Sequence, residues 1–290
     1  MAQRACDRDS FALCRPAGPD HLAELARPGE SRTGWACGNV KLIAMGITFD
    51  MPQILLIWAG VVFAAVLRSF TGFGFALAVV PVFAVFLAPA EVVVLAASLA
   101  LVLGFLSVRV WWGVFSVREI VPLVLLAWMG TALGTFLLTG MSGGSFQLSA
   151  GIAVLLACLG ITLSRPVTPV ASPALTGCAG FLSGLMNGAL AVPGPPMIVY
   201  ALLTEFDPAR SRALLMLFFS VSSLLALASY AVAGLYAPGT LWYVALALPA
   251  LFVGDRLGNA LFVRYSGAFY RRVAVLVLFS MGIVVVVRAL

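Results

Sequence analysis

The chain has 290 residues, of which 62% are hydrophobic and only 10% are charged, and its mean hydropathy is +1.10. A soluble domain covers its surface with roughly 25% charged residues, so this composition excludes a water-soluble globule. The formal net charge of +6 comes from arginines that separate apolar segments, and this arrangement does not indicate a nucleic-acid-binding patch. The composition therefore predicts an all-α, multi-pass protein of the lipid bilayer, with no nucleic-acid partner.

Residues 1–50 form a long polar stretch at the start of the sequence. Charged residues, proline and glycine are frequent in it and its hydrophobic periodicity is weak, so we predict a disordered tail. No apolar run of signal-peptide length follows its early arginines. A translation start at Met45 or Met51 is an alternative that would remove the tail.

Apolar runs separated by short breaks of proline, glycine, serine or arginine fill the rest of the chain. Most have the length of about 20 residues that one membrane crossing requires, but the first and the fifth are too long for one straight helix. Both long runs are interrupted, the first at residues 71–74 and the fifth at 187–188 and 193–196. We predict that each is a broken helix or a hairpin, because irregular backbone at membrane depth must be buried in protein or line a cavity. The runs are 54–88, 91–112, 119–139, 146–164, 172–204, 213–237, 241–263 and 269–290.

Comparison of the two halves of the membrane part indicates an internal repeat. A shift of 112 residues places Gly72 on Gly184, and a later shift of 124 residues places Gly130 on Gly254. Single glycine matches occur by chance, but an ordered series of them favours two related halves, 51–166 and 167–290.

The positions of the arginines indicate how the halves are oriented. If each long run crosses the membrane once, four loop arginines lie on one side and five on the other, and this division does not indicate which side is cytoplasmic. If each long run returns to the side it came from, eight arginines share one face, as the positive-inside rule predicts. We therefore predict two inverted repeats, each a broken helix or hairpin plus three transmembrane helices. The predicted cytoplasmic arginines are Arg109, Arg118, Arg165, Arg210, Arg212, Arg264, Arg271 and Arg272, with Arg288 opposite.

Inverted repeats with one broken element in each half are typical of secondary transporters. The helix N-termini at the breaks present free N–H groups and a positive dipole end, which suit an anion. Arg68 lies within the first long run, where a charge is expensive and is a functional candidate. Its guanidinium matches carboxylate, sulfonate or sulfite oxygens. The alternative is that the hairpin tip lies near the membrane surface and Arg68 reaches water.

The other candidate residues flank the two breaks or lie deep in the seventh run. The amide of Asn187 is suited to donate to an anion or to cap exposed backbone. Asp255 is suited to carry a coupling proton or to anchor a loop near the membrane surface. Glycines spaced four residues apart, such as Gly130 and Gly134, indicate close helix packing. The predicted substrate-binding residues are Arg68, Ser69, Thr71, Gly72, Gly74, Ser183, Gly184, Asn187, Gly188, Pro193 and Gly194, and the coupling candidate is Asp255.

Other protein classes fit the membrane part less well. The histidine of the chain, His21, lies in the tail, and no cysteines have zinc-binding spacing, so we expect no metal site and no cofactor. A membrane-embedded enzyme is not expected, because a serine nucleophile would have no base and Asp255 has no evident carboxylate partner. A drug- or metabolite-type exporter of another small metabolite is the main alternative. The sequence leaves open whether a proton or sodium is the coupling ion, and which oligomer forms.

Two glycine-rich stretches, Phe70 through Pro81 and Gly180 through Pro193, resemble the paired motifs of the sulfite exporter TauE/SafE family, also called toluene-sulfonate uptake permeases. The resemblance covers about 54–290. It implies a permease of the bacterial cytoplasmic (inner) membrane for sulfite, sulfonates or related small anions. The chain departs from the family pattern where Phe73 and Phe75 flank Gly74 and where prolines follow Pro193, so the resemblance leaves the substrate open.

Overall fold

The structure is a computed structural model. It describes residues 42–44, 47–49, 51–71, 74–85, 87–163, 172–205, 207–237 and 239–264, together with residues 279, 283, 286 and 287. The predicted tail up to residue 41, the predicted site residue Gly72 and most of the last apolar run lie outside the described residues.

A small antiparallel pair of strands precedes the first helix. Strand β1 (Leu42–Ala44) pairs with β2 (Ile47–Phe49), and Leu42 lies opposite Phe49. These six strand residues lie at the end of the stretch 1–50, for which the disordered tail stays a prediction. They are mainly β-branched and aromatic or large aliphatic residues, which suit strands, and the frequent charges that argued for disorder lie before them.

Helices form nearly all of the rest of the described chain, so the prediction of an all-α membrane protein is confirmed. Within the described residues, four of them are long and apolar enough to cross a membrane: Pro89–Leu106, Arg118–Thr139, Ala209–Val232 and Thr240–Leu261. The helices are α1 (Met51–Thr71), α2 (Phe75–Phe83), α3 (Pro89–Leu106), α4 (Val108–Trp111), α5 (Val117–Thr139), α6 (Gly143–Leu163), α7 (Pro173–Leu190), α8 (Gly194–Thr204), α9 (Pro208–Val232) and α10 (Thr240–Arg264).

The first long apolar run is two helices, α1 and α2, that fold back on each other. A Cβ added to Gly60 in α1 would lie 3.4 Å from Val82 Cγ1 and 3.7 Å from Phe83 Cε1 at the end of α2. A continuous helix would separate these residues by about 33 Å at 1.5 Å per residue. The chain therefore turns at the break that follows Thr71 and returns along α1.

The fifth run is likewise two helices, α7 and α8. Thr176 Oγ1 near the start of α7 lies 3.2 Å from the hydroxyl of Tyr200 in α8, so α8 also returns along its partner. Helix α7 continues to Leu190, and the break comprises residues 191–193. The predicted interruption at Asn187 and Gly188 is therefore wrong, because both residues lie inside α7.

Helices α5 and α7 run parallel and pack with almost no space between their backbones. A Cβ on Gly184 would meet the carbonyl oxygen of Ala127, and one on Gly188 would meet the carbonyl oxygen of Thr131. Such contact requires glycine, which explains the four-residue glycine spacing. Gly184 and Gly188, which are also predicted to bind substrate, therefore serve helix packing in this structure.

Helices α1 and α10 form a second parallel pair of the same kind. A Cβ on Gly254 would lie 2.8 Å from the carbonyl oxygen of Val62, and one on Gly258 would lie 3.0 Å from Cα of Val66. Residue numbers rise together along both helices, so their chains run in the same direction. These two pairs form the close-packed frame around the breaks.

Candidate functional site

A small cavity of about 30 Å3, partly open to the outside, lies where the two helix breaks meet. Helices α3 and α9 complete its wall. The lining residues are Arg68, residues 74–77, Ala100, residues 191–194, Phe219 and Ser223.

Arg68 is the charged group of this cavity wall. It lies in the last turn of α1 and only 5% of it is exposed, so it does not reach out to water in the manner of the alternative prediction. Its Nη1 donates to Ser107 Oγ at 3.2 Å, and Ser107 Oγ donates to the carbonyl oxygen of Leu103 at 2.7 Å. The guanidinium is thus fixed against the end of α3, with further donors available to a ligand.

The first break adds backbone donors beside Arg68. Gly74 precedes α2 with a φ of 100°, in the left-handed region that glycine adopts without strain, and no side chain caps the helix. Within α2 the first bond to Gly74 O comes from Ala78 N, so the N–H groups of residues 75–77 have no acceptor within their helix. These residues line the cavity, where the positive end of the helix dipole favours an anion.

The second break supplies a mainly apolar wall. Helix α8 begins with Gly194, Pro195 and Pro196, and proline has no N–H to donate. Ala191, which ends α7, has a φ of 55°, a left-handed conformation that is strained for a residue with a side chain. Pro195 and Pro196 therefore remove two of the N–H groups that the start of α8 would otherwise offer to an anion.

Ser69, next to Arg68, joins three helices on the far side of the guanidinium. Its Oγ lies within hydrogen-bond distance of the carbonyl oxygen of Ala65, at 3.1 Å, and of Asp255 Oδ1, at 3.2 Å. Its carbonyl oxygen accepts a bond from Arg212 Nη2 at 2.8 Å. Asp255 Oδ2 accepts a further bond from Asn259 Nδ2 at 3.2 Å. Asp255 therefore faces the end of α1.

The residues predicted from the second motif hold helices together. Asn187 Nδ2 donates to the carbonyl oxygen of Ser222 in α9 at 2.8 Å, and the carbonyl oxygen of Asn187 accepts a bond from the Tyr230 hydroxyl at 2.8 Å. Ser183 is fully buried, and its Oγ has no hydrogen-bond partner among the described residues. Neither Ser183 nor Asn187 lines the cavity.

Of the predicted binding residues, the cavity brings together Arg68, Gly74, Pro193 and Gly194. Thr71 ends α1, and its side chain lies outside the described residues.

Two residues near the site are not indicated by the sequence. Ser223 lines the cavity, and Arg212 contacts Ser69 although its position in the chain is that of a loop arginine. Three serines at 220, 222 and 223 within an apolar run are the available signal for this part of α9.

A buried arginine in a cavity between two broken helices of a helical membrane protein is typical of membrane transporters. The family model of the sulfite exporter TauE/SafE matches residues 57–285, and the chain belongs to that family. The predicted membership is confirmed, and it makes the chain a multi-pass protein of the inner membrane, in a family of transporters of sulfite or related anions. No curated protein and no solved structure gives a significant match to the chain.

Proposed function

We propose that the chain is a secondary transporter that moves a small anion, such as sulfite, a sulfonate or a related organosulfur or carboxylate anion, by alternating access. The observation that carries this proposal is the buried guanidinium of Arg68 beside the uncapped start of α2. A cation and unpaired N–H groups in one cavity attract an anion and repel a cation.

The two breaks have different roles in binding. Oxygens of the anion accept bonds from Arg68 and from the N–H groups of residues 75–77, all on the side of the first break. Val192, Pro193 and Phe219 face the rest of the ligand. The anion therefore binds in one orientation, with its charged oxygens toward α1 and α2.

Alternating access requires two halves of opposite orientation, and the helix directions support this arrangement. Ser107, just after α3, bonds Arg68, while Arg212 near the start of α9 bonds the adjacent Ser69. The end of α3 and the start of α9 thus lie together at the end of α1. These helices follow the first and second hairpins, so equivalent elements of the halves run in opposite directions, as inverted repeats require.

Contacts of Arg210 support the return of the second hairpin to its starting side. Its Nε lies 2.9 Å from Glu205 at the end of α8, and its Nη2 lies 3.3 Å from Glu119 at the start of α5. Because α5 and α7 are parallel, the start of α5 is also the side on which α7 begins. The α7–α8 hairpin therefore enters and leaves on one face.

The drug- or metabolite-type exporter is less compatible with this cavity. A site for a cationic or neutral metabolite would present carboxylates or only neutral groups, whereas Arg68 is the charged residue that lines it. No group of three or more His, Cys, Asp or Glu residues that could hold a metal occurs in the described part of the chain.

Uptake into proteoliposomes tests the proposal directly. Purified protein is reconstituted, and labelled sulfite, taurine and p-toluenesulfonate are added outside, with protein-free liposomes as the control. We expect saturable uptake of at least one anion and competition by the others. Flat uptake of all three, together with transport of a cationic or neutral metabolite, would overturn the proposal.

A further inference from the structure

The close-packed pairs α1/α10 and α5/α7 have matching contacts. Gly254 of α10 lies against Ala65 of α1, and Gly130 of α5 lies against Gly184 of α7. One turn further along, Gly258 lies against Val66, and Gly134 lies against Leu185. Ala65 and Val66 of α1 therefore occupy positions equivalent to those of Gly184 and Leu185 in α7. This match replaces the one between Gly72 and Gly184 that the glycine comparison suggested.

The same correspondence pairs charged residues in one half with neutral residues in the other. Three residues after the matched positions, Arg68 in α1 corresponds to Asn187 in α7. One residue after the matched glycines, Asp255 in α10 corresponds to Thr131 in α5. Thr131 is fully buried, and its Oγ1 has no hydrogen-bond partner among the described residues. Helices α5 and α7 pack closely although the equivalent positions, Asn187 and Thr131, are neutral. Close packing of α1 and α10 therefore does not require the charges of Arg68 and Asp255.

Three charged residues surround Ser69: Arg68 of α1, Asp255 of α10 and Arg212 of α9. Asp255 attracts Arg68, and Arg212 repels it, while Asp255 also attracts Arg212. The carboxylate reaches Ser69 Oγ and the guanidinium of Arg212 reaches Ser69 O. With Asp255 ionised, this charge centre of Arg68, Arg212 and Asp255 holds two positive charges and one negative charge.

An ionised Asp255 weakens anion binding in two ways. It attracts the Arg68 guanidinium to which the anion must bind, and it repels the anion itself. A proton on the carboxylate removes both effects. Asp255 is only partly buried, whereas Arg68 is 5% exposed, so the carboxylate is the accessible member of the pair.

We propose that Asp255 takes up a proton when an anion binds at Arg68, so that the proton and the anion cross the membrane together; this inference rests on the anion transport proposed above. The proton comes from water on the loading side and forms an O–H bond on the Asp255 carboxylate. It leaves to water on the other side when the anion departs. Asp255 acts through Arg68 and Ser69 and is a positioning residue, without contact to the anion.

The groups that face Asp255 belong to three helices. Arg68 of α1 and Arg212 of α9 act on it electrostatically, and Ser69 of α1 and Asn259 of α10 donate to it. Helix α3 presents the neutral Ser107 on the other side of Arg68. The neighbouring Arg256 is exposed, and adjacent residues of a helix point in different directions.

Anion affinity as a function of pH tests the proposal. The probes are p-toluenesulfonate and sulfate, whose charge stays constant between about pH 4 and pH 8, a range that reaches the ordinary titration of a carboxyl group, and binding to protein in nanodiscs is measured by calorimetry. Because the bound state favours the protonated carboxylate, affinity should rise as pH falls. We expect roughly a tenfold gain, within the range of coupled sites, and net proton uptake when buffers of different ionisation enthalpy are compared.

Two variants locate the effect. Asp255→Asn mimics the protonated state and should bind tightly at every pH, without proton uptake. Thr131→Val changes the corresponding position of the other half without touching a charge, and it should keep the wild-type pH profile.

The possible results separate the inference from the proposed function. Anion binding by the wild type that is independent of pH, with no proton uptake, would overturn the inference and leave anion transport intact. If Asp255→Asn kept the pH profile of the wild type, the inference would also be overturned. Because proton uptake is measured on the wild type, the test does not depend on folding of the variant. If neither probe binds at any pH and no anion is transported, the proposed function itself fails and the inference fails with it.

Discussion

The guanidinium of Arg68 is the group on which anion binding depends, and its substitution gives the sharpest prediction at the residue scale. Arg68→Ala removes charge-assisted bonds and should weaken anion binding roughly 10- to 100-fold, since such bonds contribute about 1.5–3 kcal/mol each. Arg68→Lys keeps the charge without the planar fork and should retain more binding than Arg68→Ala. Calorimetry and proteoliposome uptake measure both effects.

Arg118→Ala is the control for this series, because Arg118 is an exposed arginine at the start of α5. It should leave binding unchanged. Equal uptake by Arg68→Ala and the wild type, at equal protein levels, would show that the buried charge does not serve the anion.

Tyr230 gives a second residue-scale prediction, which concerns stability. It is fully buried, and its hydroxyl donates to Asn187 O close to the second break. Tyr230→Phe should lower the free energy of unfolding by about 1 kcal/mol and leave anion affinity unchanged. Tyr236→Phe is the matched control, because Tyr236 is exposed and makes a similar bond to Leu227 O. Scanning fluorimetry should show a lower melting temperature for the first variant only; equal melting temperatures would contradict this role of Tyr230.

The contrast between Arg68 and Arg212 shows which residues of the site are predictable from sequence. Arg68 interrupts an apolar run, and the cost of a charge at membrane depth is enough to mark it as a functional candidate. Arg212 stands at the edge of a run, where a loop arginine is the ordinary expectation. Its contact with Ser69, 143 residues earlier in the chain, depends on the packing of α9 against α1, and no local pattern indicates it.

Glycine has two different roles at the scale of the helices. Gly74 permits the left-handed turn into α2, whereas Gly184 permits close approach of α5. Both stand in similar glycine-rich motifs, so the sequence predicts that the long runs are interrupted. It does not distinguish a glycine at a break from a glycine at a helix contact, and the predicted interruption at Asn187 and Gly188 therefore falls inside α7. The true second break follows from Pro193, Pro195 and Pro196, which cannot continue a helix hydrogen-bond pattern from the preceding turn.

The α5–α7 interface gives the element-scale prediction. Gly184→Ala would place a Cβ against the carbonyl oxygen of Ala127, and the helices would have to separate. Overpacking of this kind typically costs about 1–3 kcal/mol, so the variant should melt at a lower temperature and lose transport as the frame around the cavity shifts. Gly177→Ala on the same helix is the control, because its Cβ would make an ordinary contact at 3.6 Å with Leu126 Cδ1. Equal melting temperatures of the two variants would show that the interface can accommodate a methyl group.

For the whole molecule, the arginine count of the sequence and the helix directions of the structure support the same path of the chain. The count favours hairpins because it places eight arginines on one side. The structure adds contacts that no count can supply: Gly60 against Phe83 in the first hairpin and Thr176 against Tyr200 in the second. The match of equivalent contacts between the halves could not be read from sequence, because the glycines of α1 and α7 do not occupy equivalent positions.

The path of the chain predicts which exposed positions share a side of the membrane. Single cysteines at Val114, Gly140, Ala209 and Ala233, in a background without the five native cysteines, are treated with a membrane-impermeant maleimide on intact cells. If both long runs are hairpins, Gly140→Cys and Ala233→Cys react from outside, while Val114→Cys and Ala209→Cys react only after the cells are opened. If each long run crossed once, Ala209→Cys would react with the same sidedness as Gly140→Cys, and Ala233→Cys with that of Val114→Cys. This second pattern would remove the inverted arrangement of the halves, and alternating access through the cavity at Arg68 would then lack its structural basis.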